Sequence, residues 1–143
     1  MAEKQGQEIV ASLYVAFKKI QKYFYEIAQS YGLAPAQLGA LRRLWKNDGI
    51  ANTELGERLL LKTSTVTALI DRMERDGFVF RERNKEDRRV VNIWLTEKGK
   101  QLKGNVPDLE SVMLERLKGK LTEAEIGELT RLLNKVSEAM DGL

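Results

Sequence analysis

Ser64, Thr65, Thr67, Ala68, Asp71, Arg72 and Arg75 fall on one side of a helical repeat, opposite Val66, Leu69, Ile70 and Met73. The apolar four recur at i, i+3, i+4 and i+7, so they commit one face to a core and leave the polar face outside. Short hydroxyl side chains donate and accept hydrogen bonds, and arginines neutralise phosphate. A helix face of this kind can enter a nucleic-acid groove without steric conflict. Gly77 ends the helix after Asp76, and two strand-like runs follow, Phe78–Arg83 and Arg89–Leu95, joined by the polar turn Asn84–Arg88. A helix running into a basic hairpin is the outline of a winged helix.

Charge is concentrated in the same place. The chain has 143 residues and a formal net charge of +3. Residues 34–99 hold 13 Lys/Arg against 10 Asp/Glu, and the remainder holds 11 against 11, so the whole excess lies in the central segment. Within 81–89, Arg81, Arg83, Lys85, Arg88 and Arg89 face three acids. That is the footprint of a phosphate-contacting surface, although a solvated charged hairpin has the same composition.

The composition narrows the function classes. Cysteine and histidine are absent, which excludes disulfides, thiol redox sensing, cysteine nucleophiles, histidine general catalysis and ordinary zinc sites. No acid pair stands out and there is no glycine-rich phosphate loop, so neither enzyme activity nor a metal or cofactor is expected. No apolar run is long enough to span a membrane and the N-terminus, MAEKQGQE, is polar. A cytoplasmic protein without signal peptide or membrane anchor is expected.

The elements that must position the hydroxyl face and the basic hairpin are mostly helical. Ile9, Leu13, Phe17, Ile20, Phe24, Ile27 and Tyr31 mark a long amphipathic helix over 7–31, stopped by Gly32. Pro35 opens a second helix, with Leu38, Leu41, Leu44 and Trp45 on its buried face and Asn47-Asp48-Gly49 at its end. Asn52 or Thr53 is expected to cap a third, whose Leu55, Leu59 and Leu60 face inward. The link to the next helix, Leu61-Lys62-Thr63, is short enough for helix-turn-helix geometry. After the hairpin, Thr96 caps a helix that is interrupted near Gly104 or Pro107, Leu109, Met113 and Leu117 carry on its apolar face, and Thr122-Glu123-Ala124-Glu125 is a capping box for the last helix. There Ile126, Leu129, Leu133, Val136 and Met140 form a stripe. A small winged helix needs only residues 34–99. The stripes of the first and last helices therefore exceed what that core demands, and they predict self-association, unless they fold back on the same chain.

With these residues in order, the chain resembles the MarR family of transcription regulators over nearly its whole length. The resemblance rests on Asp87-Arg88-Arg89 followed by Leu95-Thr96-Glu97-Lys98-Gly99, on Ser64 to Glu74, and on Gly77-Phe78-Val79. It implies one MarR-like domain over 1–143. The fold would be mainly α with a small β-hairpin wing: a winged helix-turn-helix lobe at 34–99, and dimerisation helices at 7–31 and 100–143. It further implies a homodimeric repressor of a pseudo-palindromic operator in double-stranded DNA, with the recognition helix in the major groove and the wing at the minor groove. By position, Arg89 matches the wing arginine and Asp87 the acid that orients it. The expected DNA-contacting set is Thr63, Ser64, Thr65, Thr67, Ala68, Arg72, Arg83, Lys85, Arg88 and Arg89. Arg72 has the alternative of pairing with Asp71 or Glu74.

The resemblance also implies an effector cleft flanked by helices that carry Tyr14, Phe17, Tyr25, Tyr31, Trp45 and Met113, open to a small apolar or aromatic-acid ligand; plain core packing is the alternative for each. Three positions depart from the family pattern. Lys62 stands where a capping serine is usual, which moves the expected cap to Thr63; Leu60 stands at a turn position often held by glycine; Gly56 replaces a small alanine. The competing function is a winged helix used as a protein–protein interaction module, which would favour exposed apolar anchors on the recognition face.

Overall fold

In the computed structural model, which describes residues 1–143, chain order runs α1 (Ala2–Ser30), α2 (Pro35–Lys46), α3 (Asn52–Leu59), α4 (Thr63–Arg75), β1 (Val79–Arg83), β2 (Val91–Leu95), α5 (Glu97–Leu102), α6 (Leu109–Lys118) and α7 (Glu123–Met140). The chain divides into two units, Met1–Val106 and Pro107–Leu143. The mainly helical class with one hairpin agrees with the sequence reading.

In the first unit, α1 is longer than the apolar stripe alone indicates and begins at Ala2. It stops where expected. Gly32 adopts φ +70°, its N–H donates to the Gln29 carbonyl, and the Leu33 N–H donates to the Ala28 carbonyl. These are the two bonds of a Schellman cap, whose left-handed residue glycine enters without steric cost. Pro35 starts α2, and Gln37 reaches back to accept from the Ala34 N–H at 3.0 Å. Leu38, Leu41 and Leu44 are buried, together with Leu55 of α3, Val66, Leu69, Ile70 and Met73 of α4, and Val79, Ile93 and Leu95 of the hairpin. This is the core on which the winged lobe is built.

Two helix starts and one inward-facing leucine differ from expectation. Neither Asn52 nor Thr53 caps α3; Ala51 holds the N-cap position without a side-chain bond, and the Asn52 Oδ1 is buried without a partner. The reason is that the preceding residues serve the sheet: Gly49 N–H donates to Ile93 O, Ile93 N–H donates to Ile50 O, both at 2.9 Å, and Ala51 bridges Asn92. Leu60 does not face inward. It closes α3 in the left-handed conformation (φ 55°, ψ 40°), which turns its side chain out to 92% exposure. Its N–H and that of Leu61 complete a second Schellman pattern on Glu57 and Gly56. Leaving that turn extended, Lys62 takes the N-cap of α4 with no side-chain bond, and Thr63 is the first helical residue rather than the cap.

The strands are shorter than the strand-like runs Phe78–Arg83 and Arg89–Leu95. β1 and β2 pair antiparallel, Val79 opposite Leu95, Arg81 opposite Ile93 and Arg83 opposite Val91. Arg89 lies in the turn, not in β2, because Val90 N–H returns to the Asp87 carbonyl. Thr96 caps α5, accepting from the Gly99 N–H at 3.2 Å.

The second unit is a helical pair. Asp108 caps α6, accepting from the Glu110 N–H at 3.2 Å and the Ser111 hydroxyl at 2.8 Å, one residue after Pro107. Thr122 and Glu125 exchange the two bonds of the expected capping box, at 3.0 and 3.1 Å. No residue of α7 is buried.

Candidate nucleic-acid interface

Amphipathicity alone orients α4. With Val66, Leu69, Ile70 and Met73 buried, Thr63, Ser64, Thr65, Thr67, Ala68 and Arg72 are all exposed, as are Asp71 and Arg75. Packing of α3 beneath it is tightest at Gly56: a Cβ there would meet Val66 Cγ2 at 2.9 Å, so even alanine would force the Val66 side chain or its helix to shift. The Thr67 hydroxyl donates to the Thr63 carbonyl at 3.0 Å.

Arg72 pairs with neither Asp71 nor Glu74, which lie one and two residues away and so do not face it on the helix; both acids contact Arg81 instead. Arg81 Nη2 lies 2.7 Å from Asp71 Oδ1, and Nη1 lies 3.1 Å from Glu74 Oε1. Arg81 also donates to the Thr67 carbonyl (3.2 Å), and its backbone N–H donates to Glu74 Oε2 (3.1 Å). Arg72 thus projects into solvent without a carboxylate partner.

The wing tip is a hydrogen-bonded structure. Asn84 Oδ1 accepts from the N–H groups of Glu86 (2.8 Å) and Asp87 (3.0 Å), an Asx turn. The Asn84 amide donates to Asn92 Oδ1 at 3.1 Å, and the Asn92 amide to the Gly49 carbonyl at 2.8 Å. Arg83 Nη1 donates to the Arg88 carbonyl at 2.7 Å. Asp87 receives Arg89 in a fork, Nε to Oδ1 at 3.0 Å and Nη2 to Oδ2 at 3.1 Å. The Arg89 guanidinium beside Asp87 holds that carboxyl below its ordinary range, helped by the Arg89 backbone N–H, and is itself raised in return. Both residues are charged at neutral pH, and the fork fixes a side chain that is 90% exposed. Lys85 and Arg88 are exposed beside it.

Sequence reasoning missed Arg81 as a bridge, because its partners lie on another element. It also missed Asn84 and Asp48. Asn84, at the head of a polar turn, carried the signal of an Asx turn. Asp48 Oδ1 accepts from the Leu95 N–H at 2.8 Å, a contact with no local signature.

The aromatic residues named for a cleft do not gather within the first unit. Tyr14 lines a depression of about 510 Å³ with Gly6, Gln7, Val10 and Ala11, whereas Tyr31 lines one of about 570 Å³ with Asp76, Phe78 and Lys98. They stand at opposite stretches of one helix axis, about 25 Å apart at 1.5 Å per residue. Lys98 sits 4.6 Å from the Phe78 ring centre and donates to the Asp76 carbonyl at 2.7 Å. The Trp45 indole donates to the Gly99 carbonyl at 2.9 Å, which ties α2 to α5. Phe17 and Tyr25 are largely exposed on α1, and Met113 is half-buried on α6.

A helix-turn-helix whose second helix is followed at once by an antiparallel hairpin, with a hydroxyl-rich outer face and an arginine-bearing tip, defines the winged helix-turn-helix class. The MarR family model matches residues 33–91. The organic hydroperoxide resistance transcriptional regulator of Bacillus subtilis (strain 168) is 32% identical over 111 residues, covering 78% of this chain and 76% of that protein. The HTH-type transcriptional repressor MdtR of the same organism is 37% identical over 98 residues, covering 68% of this chain; the chain spans only 63% of MdtR's length. Among solved structures, a MarR family transcriptional regulator from Listeria monocytogenes complexed with 26mer DNA aligns with a TM-score of 0.81 and 26% identity, over 92% of this chain and 87% of that one. The chain belongs to the MarR family.

Proposed function

We propose that the chain is a homodimeric DNA-binding transcription regulator, a cytoplasmic repressor of a pseudo-palindromic operator, and not an enzyme. The observation that carries the reading is the exposed face of α4, with Thr63, Ser64, Thr65, Thr67, Ala68 and Arg72 open to solvent beside a wing tip that presents a braced Arg89. Hydroxyls and first-turn amides suit phosphate and base edges in a major groove, and an arginine suits a narrow, electronegative minor groove. Arg83, Lys85 and Arg88 add phosphate contacts. The repressor named MdtR and the DNA-bound Listeria regulator support the same reading.

The dimer is supported by apolar side chains left exposed on α1 (Ile9, Val10, Tyr14 and Phe17) and on α7 (Leu129, Leu132, Leu133 and Met140). A second copy covering them would complete the dimerisation helices at 7–31 and 100–143 around lobes at 34–99. Two lobes spaced about 34–36 Å apart match successive major grooves. A small apolar or aromatic-acid effector that prefers another spacing would lower DNA affinity by shifting the population. The protein-interaction reading is weaker, because the exposed face of α4 carries only Ala68 as an apolar side chain.

The experiment is selection of duplexes from a random library by the purified chain, followed by titration at several salt concentrations. With about six phosphate contacts per dimer, log K against log [salt] falls with a slope near −5. Absence of any enriched duplex, or a flat salt response, rejects the reading.

A further inference from the structure

We propose that Arg81 is a positioning residue that locks the wing to the recognition face of α4, so that helix and wing meet DNA as one rigid reader. The inference rests on the DNA-binding reading above and adds the device that sets the wing's place. Arg81 lies in the middle of β1, two residues before the last paired residue, Arg83, and opposite Ile93. Its guanidinium, whose side chain is 27% exposed, contacts three α4 positions: the Thr67 carbonyl, Asp71 Oδ1 and Glu74 Oε1. These positions stand at i, i+4 and i+7, a single stripe along one edge of α4 that continues through Ser64, one residue step round the helix from Ala68. The Arg81 backbone N–H donates to Glu74 as well, so main chain and side chain both grip the helix.

Arginine is suited to this in a way lysine is not: its planar fork serves several acceptors at once, whereas an ammonium is a point charge on a flexible stem. The hairpin's other connections, through Asn92 to Gly49 and through Leu95 to Asp48, lead to the α2–α3 loop and not to the recognition face. Arg81 therefore adds, to the apolar core beneath, a hydrogen-bonded side-chain link from wing to recognition helix. Its charge also offsets part of the two carboxylates, Asp71 and Glu74, that α4 carries next to its DNA-facing hydroxyls.

The test measures how much Arg89 is worth in different backgrounds, using the duplex that the wild-type chain itself enriches from a random library. In the wild-type background, Arg89→Ala is expected to weaken binding about tenfold or more. In the Arg81→Met and Arg81→Lys backgrounds the same change is expected to weaken it by less than about threefold, because a wing that is no longer locked does not deliver Arg89 to the groove. Asp71→Asn combined with Glu74→Gln gives a version at exposed positions that does not threaten folding. Charge alone would make that variant bind more tightly and leave Arg89 as important as before; loss of the lock instead erases the dependence on Arg89. The proposal is overturned if Arg89→Ala costs the same factor in the acid-substituted background as in the wild type, if Arg81→Lys keeps the full factor, or if Arg89→Ala has no effect in the wild-type chain. Failure to enrich any duplex rejects the DNA-binding reading itself, and the lock with it.

Discussion

Arg89 and Asp87 are joined by three bonds across a two-residue interval: two from the guanidinium to the two carboxylate oxygens, and a third from the Arg89 backbone N–H to Asp87 Oδ1 at 3.1 Å. A long side chain with little else to touch is thus held in one direction, which, on the proposed role of Arg89 in the groove, lowers the ordering cost of binding. Asp87→Asn is expected to lower duplex affinity several-fold while leaving the thermal midpoint nearly unchanged, because Arg89 is exposed and Asp87 only half-buried; titration of a labelled duplex with parallel thermal melts measures both. The pH dependence follows from the direction of the shift. Folding lowers the Asp87 pKa, so the pair is complete above the ordinary carboxylate range and is lost only as pH falls through the lowered value. Arg89 Nε–H resonances should therefore stay fixed from pH 8 to pH 5.

Leu60 offers a gain in stability. It occupies the left-handed region, which costs a non-glycine residue about 1–2 kcal/mol, and its side chain is 92% exposed, so it returns little burial. Leu60→Gly is expected to raise stability by about 0.5–1 kcal/mol, the relief of strain being partly offset by the freer unfolded chain. A lower urea midpoint for this variant would contradict the conformational argument.

Gly99 tolerates no side chain. A Cβ at that position would lie 2.3 Å from the Phe78 carbonyl oxygen and 3.1 Å from Leu95 Cδ2. The former is backbone held by the Thr96 N–H at 3.0 Å, so it cannot easily withdraw. Gly99→Ala is expected to destabilise the fold by about 1–3 kcal/mol and to disturb the Trp45 indole, which donates to the Gly99 carbonyl. Denaturant melts followed by tryptophan fluorescence report both effects.

Phe17→Glu, and separately Leu133→Glu, should convert a dimer into a monomer by placing a charge where a second copy would bury apolar surface. Sedimentation velocity reads the change, and far-UV circular dichroism checks that the helices remain. A dimer that persists in both variants would place the association surface elsewhere on the chain.

The lobe was legible in the sequence where neighbouring residues decide the outcome. The i, i+3, i+4, i+7 spacing of Val66, Leu69, Ile70 and Met73 places the same four residues in the core and the hydroxyls outside. Gly32 and Gly77 end their helices with positive φ, and the Thr122–Glu125 box forms as written. The misreadings have two sources, competition from distant residues and the demands of a local turn. Asn52 looked like a helix cap, but the chain before it is pulled into the sheet by Asn92 and Ile93. Leu60 looked like a core residue by type, yet the turn needed a left-handed residue there, as its place at a position where glycine is usual indicates.

From its residues alone, the chain determined that it would be a helical protein with a winged hairpin, which face of α4 would remain in water, and that no thiol chemistry is available to it, because periodicity, capping and composition are local properties. Tertiary structure alone decided how Arg81 is used. In the sequence it is one more cation in a basic run, indistinguishable from Arg83 or Arg88. Only when β1 packs beside α4 do Thr67, Asp71 and Glu74 converge on its guanidinium, and the partners of a charged side chain are set by distances in space, which sequence separation does not encode.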